Sequence, residues 1–360
     1  MTKTPPVPVL KACSWMNKPS TILLLDGGTS THLESLQLSH SFPDRNLWSS
    51  SLLLTDIGRT DIRETHEEFY SAGSDIVTTV TYQLSHYACQ FGYDEETIDD
   101  LLKCAVQIAK RAAAAAAAAA GTDRYVVASV GCYGAVLADG SEYTGDYDLS
   151  IEELIAFHKR RVQVLLAQDV HGLAFETIPC VREVEAIIQM MSDMSTTSME
   201  MECKCTTPVW LSLACKNGVS LNDDSLVTDV LQLMDEMDPD GAVIQGVGVN
   251  CCKVQYIYEL SQTLARHVLE SNCAASRAIV LYPNSGEEWD AKNNTWMERS
   301  GCTDPEDFAM EIRKCVQGIH DLCNEQNRPR LPILVGGCCR TSSATIKALR
   351  KAVDEFSSTL

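Results

Sequence analysis

Residues 331–341 read LPILVGGCCRT. An apolar, β-prone run ends in two glycines and two adjacent cysteines, and the helical pattern SSATIKALRKAVDEF follows at once. Strand, glycine turn, reactive pair and helix make an α/β unit of the kind that carries its chemistry where the strand ends. Cys338 and Cys339 cannot easily close a disulfide on each other. If the backbone kinks at Gly336 and Gly337, however, both thiols can turn toward one soft metal ion. The plainer reading makes them small buried hydrophobes.

Seven more runs of this kind precede it: TILLLDGG (21–28), SDIVTTVTYQ (74–83), RYVVASVG (124–131), GLAFETI (172–178), PVWLSLAC (208–215), GAVIQGVGVNC (241–251) and RAIVLYPN (277–284). They are near-continuously apolar rather than alternating, as suits strands covered on both faces of a parallel sheet. Helical patterns such as IEELIAFHKRRVQVLLAQ and SLVTDVLQLMDEM lie between them. The expectation is a single-domain α/β chain, a (β/α)8 TIM barrel over residues 21–360 after a proline-marked tail over 1–20. An open, doubly wound sheet is the other architecture these runs allow.

Two segments stand outside the repeat. The nine alanines Ala112 to Ala120 continue DDLLKCAVQIAKR and meet Gly121, which predicts the end of a helix. Residues 192–207, SDMSTTSMEMECKCTT, read as a polar loop insertion, and Cys203 and Cys205 within it read as free thiols rather than a metal site.

If the barrel closes, the last residues of the runs form the site. They include Asp26 with Gly27, Thr79, Glu176, Asn250 with Cys251, Tyr282, and Cys338 with Cys339. Three cysteines from the sixth and eighth runs can meet at one ion, and three protein thiolates with an open fourth position describe a catalytic zinc. Spacing leaves the choice between Cys251 and Cys252 open. Asp26 and Glu176 can serve as general acid and base, hold a substrate ammonium, or pair with a neighbouring Arg. Gly246-Val-Gly248 lacks the rest of a dinucleotide fingerprint, so no nicotinamide or flavin cofactor is expected.

The 360 residues carry a net charge of -20 and no cluster of Lys and Arg, which argues against a nucleic-acid partner. No stretch has the length of a membrane span, and the amino terminus lacks a signal-like apolar segment. A cytoplasmic protein whose 16 cysteines stay reduced is the expectation.

LLLDGG (23–28), AGSDIVTTVTYQ (72–83), ADGSEYTGDY (138–147), LAFETIP (173–179), VGVNC (247–251), YPNSGE (282–287) and GGCCRT (336–341) together resemble the homocysteine S-methyltransferases. The resemblance implies a zinc-dependent barrel that methylates L-homocysteine to methionine, with S-methylmethionine or S-adenosylmethionine as donor. It places the zinc thiolates on Cys251, Cys338 and Cys339, and the contacts to the homocysteine amino-acid moiety on Asp26 and Gly27 of DGG, Thr79, and Glu176 of FETIP. It implies no catalytic side chain beyond the zinc-activated substrate thiol. Three departures stand out: TSTHLE with His32 after DGG, Cys132 in GCYGA, and Gln168-Asp169-Val170-His171 before FETIP. The first two bear on donor preference. A betaine-type homocysteine methyltransferase and a non-catalytic zinc-binding barrel are the competing readings. Oligomeric state is not legible.

Overall fold

The computed structural model describes residues 15–16, 21–36, 42–198, 207–271, 277–287, 289–290, 295–296 and 300–358. Eight of its strands form one parallel sheet in the order β1-β10-β7-β6-β5-β4-β3-β2. These are β1 (Ile22–Leu24), β2 (Ile76–Thr78), β3 (Tyr125–Gly131), β4 (Gly172–Ile178), β5 (Val209–Leu213), β6 (Gly246–Lys253), β7 (Ala278–Asn284) and β10 (Ile333–Val335). Seven fall within the expected runs, and β6 starts inside its run, 241–251, and extends two residues past it to Lys253. Between β7 and β10 lies an antiparallel pair, β8 (Trp289–Asp290) and β9 (Thr295–Trp296), that the sequence did not announce because two-residue strands carry no periodicity.

The helices are α1 (Thr29–Leu36), α2 (Asp56–Ala72), α3 (Glu95–Ala120), α4 (Tyr133–Leu137), α5 (Ile151–Leu166), α6 (Val181–Ser198), α7 (Val227–Met237), α8 (Ile257–Glu270), α9 (Pro305–Glu325) and α10 (Ser343–Ser357). Their starts follow local chemistry. Asp94 caps α3 through the Thr97 N–H, and Ser150 with Glu153 forms a reciprocal capping box on α5. The alanine run is the last third of α3, which stops at Gly121 with φ +67°. The expected loop over 192–207 begins later than read: α6 carries its helix through Ser198, and Cys203 and Cys205 lie outside the described residues.

Two buried layers result. Alternate strand residues face outward against the helices, as Leu24, Val126, Leu173, Val247 and Ile333 do. The others fill the barrel interior, where Leu25, Ile76, Val127, Trp210, Val280 and Leu334 pack together. Met16, from the stretch read as a tail, is fully buried in that inner layer, and Trp15 stacks on Tyr125 at 4.6 Å. The floor of the barrel is therefore packed, and its opposite, carboxyl end is left for the site.

The sheet is nearly closed. No ladder joins β1 to β2, and two aspartates bridge the seam instead. Asp75 receives the Leu24 N–H on its carboxylate at 2.9 Å and donates its own N–H to the Leu24 carbonyl at 2.8 Å. Higher up, the Asp26 carboxylate accepts the Thr78 N–H at 2.8 Å. Arg350 donates to Asp75 at 2.5 Å from the outer side.

The glycine pairs serve close approach here. Neither Gly336 nor Gly337 has positive φ; the left-handed residue of that turn is Arg340, at +66°. A Cβ on Gly28 would lie 2.5 Å from the Cys338 carbonyl oxygen, so the DGG and GGCC turns run backbone against backbone. Gly28→Ala is expected to force these turns apart, at a cost of about 1–3 kcal/mol in urea unfolding together with weakened metal retention. Unchanged metal content in a stably folded variant would contradict this packing account.

Candidate metal centre and substrate pocket

A cavity of about 450 Å³ opens at the carboxyl end of the barrel. Asp26, Thr79, Glu176, Cys251, Cys338 and Cys339 all line it, as does Gly27. Cys251, Cys338 and Cys339 present three Sγ atoms within 4.8 Å of one another. The Cys251 and Cys339 sulfurs are 3.7 Å apart, close to the ~3.8 Å edge of a tetrahedron with metal–sulfur bonds of ~2.3 Å. Hydrogen bonds from Cys251 and Cys338 hold Cys339 well below the usual thiol range, while Cys251 is pushed well above it. The donor set thus fits a thiophilic metal ion.

Cys251 reaches the pocket by breaking the strand's alternation. In β6, Val247 and Val249 face the outer layer while Asn250 faces inward, so a regular strand would turn Cys252 inward. Instead Cys251 takes φ +51°, the pairing with β7 shifts register between Asn250 and Lys253, and Cys252 packs in the outer layer. A matching irregularity occurs in β4. Thr177 has φ +60°, the register against β5 shifts between Phe175 and Ile178, and Glu176 and Thr177 both line the cavity. Positive φ at a β-branched residue costs about 1–3 kcal/mol and persists only when the surroundings hold it.

Asn250 is what holds it. Fully buried, it accepts the Thr177 N–H on Oδ1 at 2.7 Å and donates from Nδ2 to Thr177 Oγ1 at 2.8 Å. The same Nδ2 points at Cys338 Sγ, 3.9 Å away. One amide therefore ties the bulge that presents Glu176 to the strand that presents Cys251. The sequence placed Asn250 at a strand end without giving it a task.

Among the described residues, no cation lies beside the two carboxylates, which sit in low dielectric. Burial pushes Asp26 up to about 8, against hydrogen bonds from Thr78 and with Glu176 adding repulsion. Burial, with Cys338 adding repulsion, pushes Glu176 up to about 7, although Ser129 donates its hydroxyl to Oε1. Such a pair is poised for a positively charged ligand. The partners of Asp26 are Thr78, whose hydroxyl lies 3.1 Å from Oδ2, and Thr29, whose hydroxyl donates to the same oxygen at 3.3 Å. Thr79 lines the cavity with its proton committed: Thr81 donates to the Ser129 carbonyl, so the 2.6 Å contact between the two threonines takes the Thr79 hydrogen. With the Ser129 N–H on it as well, Thr79 Oγ1 keeps one lone pair for a ligand. Sequence reading also missed Glu142 and Tyr143, which lie in a quoted motif and line the cavity.

The family model described as homocysteine S-methyltransferase matches residues 23–353. The chain belongs to this family. It is similar to homocysteine S-methyltransferase 2 of Zea mays, with 31% identity over 352 residues covering 95% of this chain and 92% of that one. A selenocysteine Se-methyltransferase of Brassica oleracea var. italica is 32% identical, covering 91% of this chain and 88% of the relative. Among solved structures, the metallated form of the homocysteine methyltransferase MmuM from Escherichia coli aligns with a TM-score of 0.71 at 30% identity, covering 92% and 96% of the two chains. Among the described residues no helix is long and apolar enough to cross a membrane.

Two outcomes follow from this geometry. Asn250→Ala leaves the Thr177 N–H unpaired and should cost about 2 kcal/mol in urea unfolding while weakening homocysteine binding by calorimetry; wild-type values for both would refute the clamp. For Asp26, the folded-state value lies above the unfolded one, so its burden on stability is absent below about pH 4 and grows until about pH 8. Without substrate, the stability of Asp26→Asn relative to wild type should therefore improve as pH rises through that window and level off above it. A pH-independent difference would count against a desolvated Asp26.

Proposed function

We propose that the protein transfers a methyl group from a sulfonium donor, S-methylmethionine in preference to S-adenosylmethionine, to the thiol of L-homocysteine, forming methionine. The observation that carries the reading is the joining, in one cavity, of three thiols within 4.8 Å of one another and two buried carboxylates that, among the described residues, have no cation beside them. An amino-acid thiol has the complementary parts: an ammonium for the carboxylates and a sulfur for the open metal position.

Cys251, Cys338 and Cys339 would hold zinc, which when bound stabilises a substrate thiol in its ionised form near neutral pH. Asp26 and Glu176 accept hydrogen bonds from the ammonium, and Thr79 offers its remaining lone pair. The Gly27 backbone forms the adjoining floor, where a larger side chain would meet Phe69. Fixed at both ends, the substrate directs its sulfur toward the wall of Glu142 and Tyr143, where the donor must lie. The sulfur attacks the donor methyl carbon as the bond from that carbon to the sulfonium sulfur breaks; the electron pair leaves with the neutral sulfide. No proton moves at the methyl carbon, so no general base is required there, and alignment supplies much of the rate. Among the described residues, the cavity walls carry Asp26, Glu142 and Glu176 against the single base Arg45, a balance that favours a cationic donor over an anionic one.

The test is methionine formation by purified protein with homocysteine and, separately, S-methylmethionine, S-adenosylmethionine, betaine or methyltetrahydrofolate. Turnover with S-methylmethionine exceeding the others is expected, with loss of turnover and of zinc per chain in each of Cys251→Ser, Cys338→Ser and Cys339→Ser. Turnover with betaine and with neither sulfonium, or full zinc in all three variants, would overturn the proposal.

A further inference from the structure

A second buried charge cluster lies outside the cavity and takes no part in the chemistry above. Glu183, in the first turn of α6, is wholly buried, as are His158 and Arg161 of α5. Glu183 Oε1 accepts the Tyr133 N–H at 2.8 Å and the His158 Nε2–H at 2.7 Å, and Oε2 accepts the Tyr147 hydroxyl. Arg161 donates to His158 Nδ1 at 2.7 Å and to the Gly131 carbonyl, and its guanidinium stacks 4.4 Å from the Phe157 ring. His158 is therefore neutral, with its proton on Nε2, and passes the Arg161 charge to Glu183 at one remove. Burial also holds its pKa down to about 4.

A buried ion pair of this sort is a poor source of stability, since desolvation offsets most of its attraction; its use is to specify one geometry. What it specifies here is plain from its partners. Tyr133 and Tyr147 are the two ends of a segment whose only regular structure is α4 and one short helical turn, Ser141–Tyr143. Gln83 donates to the Ala135 carbonyl at 2.6 Å and Asn222 to the Glu142 carbonyl at 2.9 Å, and Ala135 is buried in the core, so α4 is seated while the stretch after it is held through the Glu142 backbone. Between these anchors the segment gives Ala138, Gly140, Glu142 and Tyr143 to the cavity wall. Glu142 Oε2 is buried there and, among the described residues, has no hydrogen-bond partner, while Tyr143 lines the cavity with more than half of its surface exposed.

We propose that Glu183 is a positioning residue for the methyl donor: its carboxylate pins both ends of the 133–147 segment and so sets Glu142 and Tyr143 opposite the thiols. The division of labour rests on the function proposed above. The homocysteine contacts come from strand ends, which Glu183 does not touch, whereas the donor wall is this segment.

The test uses the zinc-loaded full chain as wild type, Glu183→Gln and Tyr147→Phe, with S-methylmethionine and homocysteine varied separately. The KM for S-methylmethionine should rise about tenfold in Glu183→Gln and about threefold in Tyr147→Phe. The KM for homocysteine and the zinc per chain should stay within about twofold of wild type. Amide hydrogen exchange should quicken across 133–147 and stay unchanged across 172–178. Both KM values rising together, neither rising, or unchanged exchange in 133–147 would overturn the proposal. If Glu183→Gln fails to fold, Tyr147→Phe, which removes only the hydroxyl that donates to Glu183 and accepts from Cys180, decides it. Should the wild type make no methionine, the proposed function fails, and exchange alone then decides whether Glu183 clamps the segment.

Discussion

The seam between β1 and β2 is the constraint on which the rest of the molecule depends. A parallel barrel exists only if every strand meets both of its neighbours; β10 pairs with β1 by a regular ladder, and between β1 and β2 two aspartates bridge where a ladder would otherwise run. Asp75 makes the lower bridge, in reach of Arg350. Asp26 makes the upper one, and because it stands at the carboxyl end its carboxylate is also the first acid of the cavity. Closure and ligand recognition therefore share a side chain. This is why Asp26 tolerates deep burial: one oxygen is satisfied by the Thr78 N–H and hydroxyl whether or not a ligand is present.

Above the seam, the chemistry depends on departures from regular structure. Regular strands would aim every second residue inward and bury the rest against helices. The left-handed residues Thr177 and Cys251 break that rule on two strands at the same height, and Asn250 joins the two breaks. The strain is stored where a carboxylate and a thiol must be brought to one ligand, and it persists because a buried amide satisfies both sides of the gap. Around this rigid half of the cavity lies a wall of different construction, a loop segment fastened at its ends by Glu183 and in its middle by backbone contacts. A cavity with one wall on strand ends and one on a fastened loop can keep a shared thiol acceptor while its donor side varies.

Much of this was legible in the sequence. The eight apolar runs, their order and the residues at their ends are local properties, written in composition and period, and the closed barrel follows from them. The acids Asp26 and Glu176 and the pair Cys338 and Cys339 were recognisable because a polar residue ending an apolar run has few structural reasons to be there. The alanine run declared its helix and its stop for the same local reason. Residues 192–198 misled, because polar composition hides the tail of a helix whose buried face lies upstream.

By itself, then, the sequence determined the barrel, its polarity and the kinds of side chain at its open end. Only the tertiary structure decided which of them meet. Simple alternation would select Cys252 over Cys251, and it fails because the bulge at Cys251 is sustained by Asn250 bonding to Thr177, 73 residues away in the chain. Thr78 became a partner of Asp26, and Glu183 the fastening of the 133–147 segment, through contacts spanning 52 and 50 residues. Periodicity reports the environment of a residue on its own element, whereas strain and its relief are properties of two elements at once.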